Sequence, residues 1–102
     1  MINVEQARQC INHIIKSSFD THDFIEQFKI DFERDYVEIL YAYIIVPNGI
    51  FRAAHAQIGR FLSEHQAELN IHSVDKGVSL NTKGYLSENQ KWERRNNIYV
   101  NE

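Results

Sequence analysis

The sequence predicts a mainly α, single-domain protein of about four helices with a short β-hairpin towards the C-terminal end. Two observations lead to this fold class. Apolar residues recur at steps of three and four over much of the first 69 residues, which is the period of an amphipathic helix. The 102 residues include only four glycines and one proline, so few positions oppose helix formation. A chain of this length fits one globular domain, residues 1–102.

The first helix is predicted over residues 3–16. Its start is marked by Asn3, because an asparagine side chain accepts a hydrogen bond from a free backbone N–H at a helix N-terminus. A single apolar stripe with helical spacing follows, formed by Val4, Ala7, Ile11 and Ile14.

A long segment from residue 20 to residue 46 is predicted as the second helical region. Asp20 or Thr21 can cap its start, and Pro47 ends it because proline pushes the preceding residue out of helical geometry. The region forms one helix, or two with a bend near residues 34–36. Its apolar residues recur at helical steps: Phe24, Ile25, Phe28, Phe32, Tyr36, Val37, Leu40, Tyr43 and Ile44.

The same region also carries a strand pattern. Phe28, Ile30 and Phe32 alternate with charged residues, and residues 36–46 are rich in β-favouring types. The alternative fold is therefore α+β, with strands drawn from residues 27–46. We favour helix, because the helical pattern runs longer and comes with capping residues and with oppositely charged pairs four residues apart.

A turn over residues 46–49 precedes a third helix, predicted over residues 50–69 from its alanines and its apolar stripe. Residues 71–74 and 78–80 are predicted as a short hairpin around the glycine-containing turn 75–77, with a second turn over residues 81–84. Ser87 and Gln90 match a capping box, so a last helix is expected over residues 88–96. Its Trp92 is expected to anchor that helix to the core.

Charge and cysteine content narrow the functional classes. The formal net charge of −3 speaks mildly against a dedicated nucleic-acid binder, since phosphate neutralisation supplies much of the affinity of such proteins. Cys10 stands alone, so no internal disulfide can form. No apolar run approaches the ~20 residues that a membrane span needs. A cytoplasmic protein with no membrane contact is the expectation.

No catalytic or metal-binding pattern stands out. Cys10 and His13 are three residues apart, as are His65 and Glu68, with His72 just beyond. Neither set has the spacing of a known zinc motif, and the isolated glycines form no phosphate-binding loop. We therefore expect no cofactor, no bound metal and no enzyme activity.

The apolar surplus before Pro47 predicts a partner. Residues 36–46 are apolar on nearly all sides, which indicates either full burial or cover by another chain, and tyrosine is enriched at protein interfaces. The leading hypothesis is a small cytoplasmic protein-interaction module, such as an adaptor, an inhibitor or an immunity-type regulator. A homodimer is expected, and a heterologous protein partner is possible. The candidate interface consists of Tyr36, Ile39, Leu40, Tyr41, Tyr43 and Ile44.

The alternative hypothesis is a small DNA-binding regulator. A four-residue turn over residues 46–49 between two helices has the length of a helix-turn-helix connection, and helix 50–69 would then face DNA. A basic and aromatic cluster follows near Trp92. The candidate nucleic-acid contacts are Arg52, Gln57, Arg60, Lys91, Arg94 and Arg95.

Overall fold

A computed structural model describes residues 2–47 and 49–95, and it shows an α+β fold. Within these residues, five helices accompany a three-stranded antiparallel sheet, so the prediction of a mainly α domain is wrong. The alternative matches the α+β class, but its strands over residues 27–46 are wrong, because the structure has two helices and a turn there. The elements in chain order are α1 (Val4–His13), β1 (Ser18–Asp20), α2 (Thr21–Asp31), α3 (Glu33–Ala42), α4 (Ile50–Glu64), α5 (Gln66–Leu69), β2 (Ile71–Leu80) and β3 (Leu86–Arg94).

The first two helices begin at the residues that the sequence predicts. Asn3 caps α1 in a full capping box, in which its side chain accepts from the Gln6 backbone N–H and the Gln6 side chain accepts in return. Asp20 and Asp23 form the same arrangement at the start of α2. Each box satisfies backbone donors that a helix N-terminus leaves without a partner.

The region predicted as one or two helices is two, and the break lies at Phe32. This residue has φ −138° and ψ 58°, so it leaves helical geometry and serves as both the C-cap of α2 and the N-cap of α3. The burial pattern explains why the strand alternative fails. Phe28 is fully buried whereas Ile30 is largely exposed, although alternation would place both on one face of a strand.

The C-terminal third differs most from the expectation. Residues 71–80 form one strand, with a register irregularity between Ser73 and Lys76, rather than a complete hairpin. The predicted final helix over residues 88–96 is wrong, because Leu86–Arg94 is the central strand of the sheet. The capping-box pattern at Ser87 and Gln90 is local, and pairing with two other strands overrides it.

The β2–β3 hairpin turns its polar side towards the helices and its apolar side towards solvent. Leu80 pairs with Leu86, and Ser79 pairs with Ser87. Because side chains alternate along a strand, these two pairs lie on opposite faces of the hairpin. Val78, Leu80 and Leu86 are exposed, while both serine hydroxyls lie against the start of α2.

The hydrophobic core lies between the helices and the proximal half of the sheet. Trp92 is buried as expected, although it projects from a strand and not from a helix. Its indole Nε1 donates to the Thr21 hydroxyl at 3.0 Å. The largest fully buried side chains are Trp92, Phe19, Phe24, Phe28, Ile25, Ile39, Ile58, Leu62 and Ile71.

Arg94 joins the end of β3 to the end of α1. One terminal nitrogen, Nη2, donates to the carbonyls of Ile11 at 2.7 Å and Ile14 at 2.8 Å. The other, Nη1, donates to the carbonyls of Lys16 and Ser17. The last carbonyls of a helix have no partner within the helix, and a cation there also interacts favourably with the helix dipole. Arg94 therefore acts as a C-terminal cap of α1.

Within the described residues, no helix has both the length and the apolar character needed to cross a membrane.

Candidate functional site

An apolar groove opens between α3 and α4. Its volume is about 290 Å³, and six apolar residues line it. Ile45, immediately after one of the lining residues, is largely exposed. We call these seven residues the α3–α4 face: Val37, Leu40, Tyr41, Ile44, Ile45, Ile50 and Phe51.

The structure divides the predicted interface residues between the core and this face. Tyr36 and Ile39 are buried in the protein's own core, while Leu40 and Tyr43 are partly buried and pack against it. Tyr41 is 73% exposed and Ile44 is 54% exposed, so neither is covered by the rest of the chain. The candidate interface left out Val37, Ile45, Ile50 and Phe51. The positions of Val37, Tyr41 and Ile44 at i, i+4 and i+7 place them on one helix face, and this spacing could have added Val37 to the candidate interface.

The predicted helix-turn-helix connection is wrong in length. α3 ends at Ala42 and α4 begins at Ile50, so residues 43–49 separate the two helices instead of a four-residue turn. The hydroxyl of Tyr43 donates to Gln57 Oε1 at 2.6 Å across this connection, which engages one of the candidate nucleic-acid contacts within the fold.

The remaining candidate nucleic-acid contacts lie on α4 and on β3 or directly after it, and Lys91 is exposed on β3. Arg52 and Arg60 lie on α4 and are exposed. Arg94 and Arg95 line a different cavity, which shares no lining residue with the one that Arg52 lines. The donors of Arg94 are engaged with backbone carbonyls. The structure thus does not bring the six residues into one basic surface, and DNA binding stays a prediction.

A second candidate site is a polar cleft that the sequence did not predict. It has a volume of about 560 Å³ and lies between the start of α2, the first half of α4 and the tip of the hairpin. We call it the hairpin cleft. Its lining residues are Thr21, His22, Ile25, Phe51, Arg52, His55, Ala56, Asn81, Thr82, Lys83, Ser87, Glu88 and Asn89.

His22 connects the hairpin to α2 within this cleft. Its ring Nδ1 lies 2.8 Å from the Ser79 hydroxyl, and its Nε2 lies 3.4 Å from the Ser87 hydroxyl. Its backbone N–H donates to Asn89 Oδ1 at 2.8 Å. Burial acts to raise the pKa of nearby Asp20, but hydrogen bonds from Ser79, Asp23 and Asn89 outweigh burial and lower it. The wall of the cleft is therefore a connected set of polar groups beside an ionised carboxylate.

His55 forms the inner wall of the cleft as a neutral group. Its Nε2 lies 2.7 Å from the Tyr36 hydroxyl. Burial, together with electrostatic interactions with Lys29 and His22, lowers the pKa of His55 to about 4, despite the opposing effect of Glu26. Burial also raises the pKa of Tyr36 to about 12. The Tyr36 hydroxyl thus stays protonated at neutral pH and can donate to His55.

This low pKa makes folding stability pH-dependent. Between pH 6.5 and pH 4 the unfolded chain binds a proton at His55 that the folded chain does not bind, so the free energy of unfolding falls as the pH is lowered. We expect the His55→Gln variant to lose about 1 kcal/mol less stability than the parent between pH 7 and pH 5.5. Urea denaturation followed by circular dichroism at the two pH values measures the difference. The His72→Gln variant, which keeps His55, should behave like the parent; equal pH dependence in all three proteins would contradict the assignment.

Cys10 and His13 meet at a shared carboxylate, Asp31. The His13 ring Nδ1 lies 2.7 Å from Asp31 Oδ2. Burial, reinforced by the charge of Asp31, raises the pKa of the Cys10 thiol to about 12, so the sulfur stays protonated at neutral pH and is a poor nucleophile. No group of three or more potential metal-ligating side chains converges within residues 2–47 and 49–95.

Comparison of the chain with protein-family models, with curated proteins and with solved structures finds no match.

Proposed function

We propose that this chain is a small cytoplasmic protein-interaction module that forms a homodimer through the α3–α4 face. The observation that carries the proposal is the exposure of Tyr41, Ile44 and Ile45 beside an apolar groove. Contiguous apolar surface on a small protein is a mark of an interaction site. The free, buried thiol of Cys10 fits a reducing compartment.

A second copy of the chain is the occupant that this face suits best. The face combines a groove with projecting apolar side chains. In a dimer with a two-fold axis, the projecting side chains of each copy would pack against the same face of the other copy, as isologous dimers require. The edge of the face also fits self-association. Arg34 and Glu38 are exposed on α3, one turn apart and on the side of Val37 and Tyr41. Two antiparallel copies of α3 would bring unlike charges together at this edge.

The test is the molar mass of the full chain in solution. At micromolar concentration the parent protein should have twice the 12.0 kDa chain mass by light scattering. We expect Ile44→Asp to weaken dimerisation by at least about tenfold, because a buried unpaired carboxylate costs more than the ~1.4 kcal/mol that a tenfold change represents. Sedimentation velocity over a dilution series measures the dissociation constant.

Ile15→Asp is the matched control. Ile15 is an equally apolar residue and almost fully exposed, but it lies outside the α3–α4 face, so this variant should dimerise like the parent. Circular dichroism should show that both variants keep the fold. A monomeric parent protein, or equal loss of the dimer in both variants, would refute the proposal.

A further inference from the structure

The hairpin cleft is lined by two cations that form no ion pair with any other residue that the structure describes. Among residues 2–47 and 49–95, neither Arg52 nor Lys83 forms an ion pair or a side-chain hydrogen bond. Both line the cleft from opposite sides, one from α4 and the other from the turn of the hairpin. Two unpaired cations facing one cavity create a positive potential inside it.

The other large cavity of the protein provides a contrast. It also contains arginines, but Arg8 bonds to the Glu5 carboxylate and to the Glu68 carbonyl. Arg94 is engaged with four backbone carbonyls. The cations there already have partners within the fold, so the hairpin cleft is the better candidate for an anionic ligand.

Among the residues that the structure describes, Glu88 is the one carboxylate that lines the hairpin cleft. It lies between Ser87 and Asn89 on β3, whose side chains face the helices. Alternation along the strand places Glu88 on the face opposite to Ser87 and Asn89, next to its exposed cross-strand partner Val78, and Glu88 still lines part of the cleft. Two cations and one carboxylate on the lining leave the cleft with a net positive charge.

The remaining walls of the cleft indicate the rest of the ligand. The rings of Phe51 and His55 lie 5.6 Å apart and form an aromatic wall, next to the apolar side chains of Ile25 and Ala56. Amide and hydroxyl groups complete the opening. The volume of about 560 Å³ lies within the ~300–1,000 Å³ typical of small-molecule sites, and a flat aromatic group can stack on such a wall.

We infer that the hairpin cleft binds a small phosphate monoester that carries a flat aromatic group, the chemistry of a nucleoside monophosphate. The phosphate lies between Arg52 and Lys83, which offer charge-assisted hydrogen bonds. The N-terminal turn of α4, to which Phe51 and Arg52 belong, adds the favourable end of a helix dipole. The aromatic base lies against Phe51 and His55. Phe51 also lines the α3–α4 groove, so the ligand and the proposed dimer share this residue, but binding in the cleft does not require the dimer.

The experiment is a calorimetric titration of the full chain with four sets of probes. These are the four ribonucleoside monophosphates, the four uncharged nucleosides, inorganic phosphate and ribose 5-phosphate. At least one nucleoside monophosphate should bind about tenfold or more tightly than inorganic phosphate, ribose 5-phosphate and its own nucleoside. Failure of all four nucleoside monophosphates to bind at millimolar concentration, or affinity no better than that of inorganic phosphate, would overturn the inference.

Two matched pairs of variants locate the site. Arg52→Gln and Lys83→Gln should each weaken binding by about tenfold, whereas Arg60→Gln and Lys76→Gln, which remove exposed cations outside the cleft, should not. All four side chains are exposed, so folding is unaffected. Equal losses in both pairs would show nonspecific charge attraction and refute the site. The cleft variants should keep the molar mass of the parent, which separates this result from the test of dimerisation.

Discussion

Replacing Trp92 with alanine should lower the free energy of unfolding by about 3–5 kcal/mol, the range for a large buried aromatic side chain. Trp92 is 2% exposed on the central strand, where its loss leaves a cavity between the sheet and the helices. It also leaves the Thr21 hydroxyl without its indole donor. Urea denaturation followed by circular dichroism measures the change, because the variant removes the chain's one tryptophan and with it the fluorescence signal.

A double-mutant cycle separates packing from hydrogen bonding at this position. Trp92→Phe keeps most of the apolar volume and removes the Nε1 donor, so it should cost clearly less than alanine. Thr21→Val keeps the shape and leaves the indole N–H unsatisfied, at a cost of about 1–3 kcal/mol. The two changes should be non-additive, since they break the same bond. A loss below about 1 kcal/mol in Trp92→Ala would show that this side chain is not part of the core.

Arg94→Ala should lower the free energy of unfolding by about 2–3 kcal/mol, because it removes charge-assisted bonds to two carbonyls at the end of α1 and to two in the connection that follows it. The guanidinium also lies over the Phe19 ring, 5.5 Å from its centroid, which adds a cation–π contribution. Thermal and urea denaturation of the purified variant provide the measurement.

Arg94→Lys distinguishes the geometry of the arginine from its charge. A lysine ammonium is a single point donor and cannot reach four carbonyls arranged around a planar fork, so lysine should restore less than half of the lost stability. Arg60→Ala, at an exposed position on α4, should change the stability by less than about 0.5 kcal/mol. If Arg94→Lys had the full stability of the parent protein, Arg94 would act only through its positive charge.

The parts of the fold that could be predicted from the sequence depend on neighbouring residues. Asn3 and Asp20 cap helices because each side chain reaches a backbone N–H three residues away. The helices after them follow from apolar periodicity. Pro47 correctly indicated an interruption before α4, although α3 already ends at Ala42.

The parts that could not be predicted depend on distant residues. β3 has a helix-like local pattern at Ser87 and Gln90, and its strand identity comes from pairing with β1 and with β2. The hairpin cleft could not be predicted for the same reason, because its walls come from distant parts of the sequence. His22 and Ser79, for example, are 57 positions apart. The α3–α4 face was found in part, because its residues share one helix and the following turn, but separating Tyr36 and Ile39 from it required the packing of α4.

The position of β3 in the sheet also determines the order in which this molecule can assemble. It lies between β1 and β2, yet the ribosome makes it after both of them. Phe19 on β1 can pair with Trp92 only after β3 has been synthesised. The same holds for β2, which also pairs with β3. A growing chain can therefore form its helices early, while closure of the long loop that completes the sheet becomes the slow, entropically costly step.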